Sequence, residues 1–441
     1  MQPTLSTDHP QTVRIHAHAI ADATRGILSP GGLLLRIESG SVRILASGRP
    51  DALTAPGLPR ADRRLDLSDR LVLPALVNAH THLDLTHIGP LPHEPSEGFV
   101  KWVDHIRASR RDTPEGIAES VRLGVDLSLA GGSAVVGDIA GAPGGRLTDT
   151  PARVLAQSPL CGVSYLEFFG IGRTAALAAD RLAAYARDEL PRLQSVLTGS
   201  GVRVGLQPHA PNTVDLTIYR WAAAIAEKHG LPLSTHLAET PEERQFISAG
   251  TGPQRAMLER FGIWDESILD HLGQGRHPVE HLAGLLERHK VLCAHVNDAP
   301  DRAIEILAAT GTPVVYCPRA SAYFGASDHF GPHRYRDMLA AGVLVCLGTD
   351  SIVNLDTPDR ISPLDEIRLL HRRDGTDLRT LLAMATINGA KALGLDVGRF
   401  ELSEGGIAGL LAVRADGPDA WKSAMDADSG PEWVILSRER F

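Results

Sequence analysis

Eight short apolar runs recur along the middle of the chain, most of them followed by a segment of helical pattern. In order they are LVLPALVNAH (71–80), SAVVGDIA (133–140), CGVSYLEFFG (161–170), VRVGLQPHA (202–210), LPLSTHLAE (231–239), KVLCAHVND (290–298), TPVVYCPR (312–319) and VLVCLGTDS (343–351). Between most of them lie Ala/Leu/Arg/Glu-rich stretches such as AALAADRLAAYARDELPRLQSVL (175–197) and TIYRWAAAIAEKHG (217–230). Near-continuous apolar strands alternating with helices imply a parallel sheet covered on both faces. Eight such units in about 320 residues suit a closed (β/α)8, TIM-like barrel.

The two chain ends read differently. LLLRIE (33–38) and SVRILASG (41–48) flank a Ser39-Gly40 turn, and no helical period appears before residue 74. AGLLAVRA (408–415) and EWVILS (432–437) read as strands that can return to this N-terminal β region. The expected division is 1–73 and 397–441 for a small β domain, with the barrel at 74–396.

Polar residues inside the apolar runs fall at one end of each. His80 and His82 close the first run, His209 the fourth, His236 with Glu239 the fifth, His295 the sixth and Asp350 the eighth. In a barrel these C-terminal ends form the catalytic face. Residues i and i+2 of a strand point the same way, so His80 and His82 can share one ion. His236 adds a third nitrogen from across the barrel and Asp350 a hard oxygen. Three imidazoles and a carboxylate suit one divalent ion, Zn²⁺ first and Fe²⁺ second, with a position left for a water whose pKa then falls towards ~7. The HAH at His16–His18 lies far from any barrel strand and is a decoy. None of the five lysines falls in the fourth run, where a two-metal barrel hydrolase commonly carries a bridging carboxylated lysine, so a single ion is expected.

Thr240-Pro241-Glu242-Glu243 reads as a capping box with proline at the first helical position, which starts a helix right after Glu239 and fixes that carboxyl at the strand mouth. Glu239 is then a candidate proton shuttle, and His295, on the same rim, can orient the nucleophile. Asp350 is a second candidate base. Substrate contacts are sought at Trp102, in the insertion after the first strand, and at His209, Arg319 and Tyr323, with Glu97 a weaker candidate.

Composition narrows the partners. With 44 Lys+Arg against 53 Asp+Glu, a net charge of −9, the chain lacks the basic footprint of a nucleic-acid binder, so a small-molecule substrate is expected. No run approaches the roughly 18 apolar residues of a membrane span, and the N-terminus has no apolar signal region. Cys161, Cys293, Cys317 and Cys346 are scattered and form no CxxC pair, which fits free thiols and a cytoplasmic location. A homodimer is compatible with all of this.

PALVNAHTHLD, STHLAE, LCAHVND and LGTDS occur in an order that resembles the amidohydrolase superfamily, in its cytosine/adenosine-deaminase-like and chlorohydrolase-like branch, over about residues 30–415. The resemblance implies metal ligands at His80, His82, His236 and Asp350, acid/base roles for Glu239 and His295, and a split β-sandwich made from both chain ends. NAHTHLDLT, GFVKWVDHI (98–106) and CPRASAYFG (317–325) look most like the aminodeoxyfutalosine deaminases of menaquinone synthesis. Three departures stand out: Pro74-Ala75 for the usual PG, Tyr316 for the histidine of HCPxSN, and Ala408-Gly409-Leu410 for ADL. The expected reaction is hydrolytic deamination of a purine- or nucleoside-like ring. Alternatives are removal of another leaving group, such as chloride from a triazine or pyrimidine, and guanine or cytosine deamination.

Other classes fit less well. A dinucleotide site at Gly170-Ile171-Gly172-Arg173-Thr174-Ala175 lacks the acidic end of a second strand ~20 residues on. Gly131-Gly132-Ser133-Ala134-Val135 lacks the second glycine of a nucleophile elbow. A non-catalytic metal-binding protein on this fold would be favoured by a missing ligand or a missing Glu239, and neither is missing.

Overall fold

A computed structural model describes residues 3–440. Both chain ends build one eight-stranded sheet from β1 (Gln11–Asp22), β2 (Gly26–Leu28), β3 (Gly31–Glu38), β4 (Ser41–Gly48), β5 (Arg63–Pro74), and, after the eight barrel strands, from β14 (Gly405–Gly406), β15 (Gly409–Arg414) and β16 (Glu432–Leu436). Its order is β14-β4-β3-β1-β5-β15-β16, with β2 on β1. The sheet curls around a core of its own that includes Ile15, Leu35, Ile44, Val72, Leu410 and Val434. His16 and His18 lie on β1, where His18 Nε2 bonds the Gly417 carbonyl at 2.8 Å.

The second sheet is the barrel. Its strands are β6 (Leu76–Thr81), β7 (Ser133–Ala140), β8 (Cys161–Phe168), β9 (Val202–Pro208), β10 (Leu233–Leu237), β11 (Val291–His295), β12 (Val314–Tyr316) and β13 (Val345–Leu347). They pair in parallel and in chain order, one from each apolar run. The first run divides between the two sheets. Leu71–Pro74 finishes β5, paired with β15, and the barrel strand starts only at Leu76. Pro74 has no N–H to extend a ladder, and the chain crosses there with Ala75 N–H on the Gly409 carbonyl and Leu76 N–H on that of Gly132.

Between β13 and β6 there is no ladder, only a parallel bridge of Thr81 with Asp350. The His80 carbonyl accepts from the N–H groups of Thr349 and Asp350, both at 3.1 Å. Buried Asn78 completes the seam: its Nδ2 donates to Thr349 Oγ1 at 2.8 Å and its Oδ1 accepts from Thr349 N–H at 3.1 Å. A Cβ at Gly348 would fall 2.7 Å from Val315 and 2.8 Å from His80, so a glycine is needed for this close approach. A side chain thus joins the two strands that carry His80 and Asp350. All four cysteines are free and buried, and no helix of the described residues is long and apolar enough to cross a membrane.

Candidate active site

Four side chains from three strand ends meet at the C-terminal mouth. His80 and His82 come from the end of β6, His236 from β10, and Asp350 follows β13. His82 Nε2 lies 3.3 Å from His236 Nε2 and 3.4 Å from Asp350 Oδ1, and His80 Nε2 lies 3.9 Å from the same oxygen. Ligands about 2.0–2.1 Å from a tetrahedral ion sit about 3.3–3.4 Å from one another, so two of these edges have the length that a common ion requires. His80 Nε2, which faces Asp350, is buried without a protein partner, as expected of a nitrogen whose partner is an ion; Nδ1 of His80 and of His82 are also buried without a protein partner. Burial holds His80 and His82 well below the usual imidazole range and brings His236 down to about 4, so the rings are neutral and have lone pairs to offer. His236 donates Nδ1–H to the His209 carbonyl at 2.9 Å, which directs its Nε2 into the site. Burial pushes Asp350 up to about 7; a bound cation acts in the opposite direction. The donor set therefore fits one divalent metal ion.

Glu239 and His295 lie beside this group, with His295 Nε2 3.6 Å from Glu239 Oε1. Asp350 joins them in a second cluster of close donor atoms. Burial first, and the Asp350 charge second, hold Glu239 well above the usual carboxyl range. Burial also keeps His295 neutral. Thr240 caps the helix Pro241–Ala249 by accepting from Glu243 N–H, but the reciprocal half of the expected capping box is rearranged. Glu243 reaches past Thr240 and accepts from the N–H groups of Ala238 and Glu239 at 2.9 and 2.8 Å. It thus fixes the peptide that carries the catalytic candidate.

Backbone strain concentrates here. Among the described residues, five non-glycine residues have positive φ; Ser39 turns a hairpin, and the others are Ala238 (51°), His295 (71°), Val296 (50°) and Asp350 (58°). Each costs of order 1–3 kcal/mol and persists only where the surroundings over-determine it. The four adjoin or carry the groups that must converge.

The opposite wall holds charges that sequence reasoning missed. Asp84 Oδ2 accepts from Arg110 Nε and Nη2 at 3.0 and 2.8 Å, and Arg110 Nη1 approaches buried Glu167 at 3.9 Å. Glu167 Oε1 has no hydrogen-bond partner and faces His209 Nε2 at 4.0 Å. Beneath them Asp138 accepts from Leu83 N–H and Ser164 Oγ, and burial pushes its carboxyl up to about 7. Gly141 makes room for the arginine, since a Cβ there would overlap Arg110 Nη2 at 1.6 Å. A signal for Asp138 and Glu167 existed, a carboxylate inside VVGDIA and SYLEFF; Asp84 and Arg110 had none.

The expected substrate contacts separate. His209 lies at the mouth, its ring 4.8 Å from that of His236, with Nδ1 2.8 Å from Thr213 Oγ1. Trp102 belongs to an aromatic group over the mouth, about 5 Å between ring centres from Phe99 and Phe324, on the helix Phe99–Ser109. Tyr323, at the end of the helix Pro318–Tyr323, donates its hydroxyl to the Leu91 carbonyl and ties that helix to the loop carrying Leu91. Arg319 is buried and engaged: its Nε is 2.6 Å from Glu366 Oε1, with further bonds to Asp356 and Thr357. Glu97 pairs with Lys101 on the surface.

Residues 71–428 match the family described as the Amidohydrolase family. This chain belongs to the amidohydrolase family. It is 31% identical over 385 residues to the aminodeoxyfutalosine deaminase of Deinococcus radiodurans, across 84% of this chain and 82% of that one. It is 27% identical over 403 residues to the 5-methylthioadenosine/S-adenosylhomocysteine deaminase of Haloarcula marismortui, across 89% and 85%. The crystal structure of Helicobacter pylori aminofutalosine deaminase superposes with a TM-score of 0.75 at 20% identity, covering 98% of this chain and 100% of that one.

Proposed function

We propose that the chain is a metal-dependent aminohydrolase that removes the exocyclic amine of an adenine nucleoside as ammonia, with aminodeoxyfutalosine the leading substrate and zinc the resident ion. The observation that carries this reading is Glu239, its carboxyl held high by burial, 3.6 Å from His295 and beside the group formed by His80, His82, His236 and Asp350. The names of the relatives direct it towards adenine nucleosides.

His80, His82, His236 and Asp350 would hold the ion. A bound divalent ion supplies Lewis acidity, lowering the pKa of a water towards ~7. Glu239 donates its proton to the ring nitrogen beside the carbon under attack. His295 orients the attacking oxygen, and Asp350 or the now ionised Glu239 accepts the proton that the water gives up. That proton passes to the exocyclic amine, the C–N bond breaks with ammonia leaving, and the proton of the added hydroxyl returns to Glu239 as the C=O bond forms. Addition thus meets a ring whose nitrogen is already protonated, a contribution of about 10²–10⁴-fold. His209 and the Trp102 aromatic group are the proposed substrate contacts. Arg319 is left out because its donors are occupied, and Tyr323 because its hydroxyl is already bonded to Leu91.

The test is ammonia release by purified, metal-assayed protein from aminodeoxyfutalosine, adenosine, S-adenosylhomocysteine, guanine and cytosine, with halide release from chlorotriazines in parallel. Ammonia from an adenine nucleoside supports the reading; halide release with no ammonia overturns it. Glu239→Gln is expected to keep its ion while turnover falls by about 10²–10⁴-fold, and an active variant removes the shuttle.

A further inference from the structure

His295 ends β11 at φ 71°, and Val296 N–H turns back to the Ala294 carbonyl at 3.1 Å and to that of Leu237 at 2.9 Å. The peptide after His295 thus keeps a bond to the neighbouring strand β10 through Val296 N–H. Its carbonyl is caught from outside the motif by the Nε2–H of His333, at 2.9 Å, on the segment 331–334 between helices Ala326–Phe330 and Tyr335–Ala340. The His333 ring lies flat on Tyr316, with centroids 3.7 Å apart and planes 16° from parallel. Tyr316 is itself held, its hydroxyl accepting from Arg373 Nη2 at 3.0 Å. Arg373 in turn pairs with Asp374. Burial brings His333 down to about 4. Its ring is therefore neutral with a single N–H, and because a carbonyl only accepts, that proton sits on Nε2. Among the described residues its buried Nδ1 has no partner, and the carbonyl bond is the ring's one hydrogen bond there.

We infer that His333, backed by the face of Tyr316, is a positioning residue that fixes the catalytic orientation of His295 through the His295 carbonyl. Tyr316 stands where the resembling deaminases have the histidine of HCPxSN, so in this chain an aromatic platform occupies the motif position and the imidazole arrives from a segment 17 residues further on. The catalytic part of the inference rests on the role proposed for His295; the mechanical part does not.

Three variants and two readouts test it. His333→Ala removes the donor. His333→Gln keeps an N–H at about the reach of Nε2, whereas His333→Asn places it too short. Loss of an outer-shell orienting contact typically costs about 10–100-fold in activity. We expect kcat to fall by that factor in His333→Ala and His333→Asn with KM within about twofold of wild type, and to recover in His333→Gln. Hydrogen-exchange mass spectrometry of metal-loaded protein should show faster exchange in the 291–298 segment of the Ala and Asn variants, restored by Gln. Unchanged kcat in His333→Ala overturns the inference. So does an equal loss in all three variants together with a general loss of thermal stability, or unaltered exchange at 291–298. If the wild type releases no ammonia from any nucleoside, the reading of function has failed instead, and the exchange result alone decides whether His333 holds the segment.

Discussion

The seam between β13 and β6 offers the most direct test of how the fold makes the site. Asn78→Ala removes the side chain that joins Thr349 to the first barrel strand, in a place where both residues are wholly buried. Two hydrogen bonds are lost, of 2.8 and 3.1 Å. Each is worth about 0.5–1.5 kcal/mol net. Thr349 is not stranded, because its N–H keeps the His80 carbonyl and its Oγ1 the Asp350 carbonyl. The loss is therefore about 1–3 kcal/mol rather than the larger penalty of an orphaned donor. Asn78 precedes His80 by two residues and Thr349 precedes Asp350 by one, so the slack appears between two proposed ligands of the same ion. If binding must then draw the strands together, affinity falls by about 5- to 150-fold. The assay is competition for zinc between the metal-free protein and a chromophoric chelator, with circular dichroism to show that the variant is folded. A folded variant whose affinity stays within about twofold of wild type would refute the reasoning, since it would mean that the seam needs no side-chain tie.

Two further outcomes are expected from the opposite wall. Burial raises the Asp138 carboxyl to about 7, so its contribution to stability is complete below the unfolded value near 3.8 and is lost as pH climbs through about 7. Asp138→Asn, which mimics the protonated acid, should match wild type in denaturation midpoint near pH 4 and exceed it by a growing margin up to about pH 7; a margin that does not vary with pH counts against the assignment. Arg110→Met leaves Asp84 and Glu167 buried without their shared cation and should cost about 3–5 kcal/mol; chemical denaturation of the metal-loaded proteins measures it, and a loss below about 1 kcal/mol would show that Asp84 and Glu167 do not depend on this cation.

Much of the site was legible because the barrel turns chain position into spatial position. A polar residue at the end of an apolar run in such a fold faces the mouth, so His80, His82, His236, Glu239, His295 and Asp350 could be picked out one run at a time. The same rule makes Asp138 and Glu167 visible in hindsight, as carboxylates inside otherwise apolar strands. Arg319 shows where the rule stops. It follows the seventh strand just as His82 follows the first, yet its donors face Glu366 and Asp356, because a guanidinium at that depth needs carboxylates and two were within reach. Tyr323, an expected substrate contact, instead ends the helix Pro318–Tyr323, and its hydroxyl meets the Leu91 carbonyl.

The order of strands and helices, the set of candidate metal donors and the family were legible along the chain itself, because hydrophobic period and strand-end chemistry are local and repeat with each unit. What only the tertiary structure decided was the spacing of those donors: 3.3–3.4 Å between ligand atoms, a seam closed by Asn78, a Glu243 that reaches past its cap, and His333 on the carbonyl of His295. Each is a contact between residues whose pairing has no period in the sequence. Each arises because buried N–H and C=O groups must find partners wherever the packed fold brings one within reach.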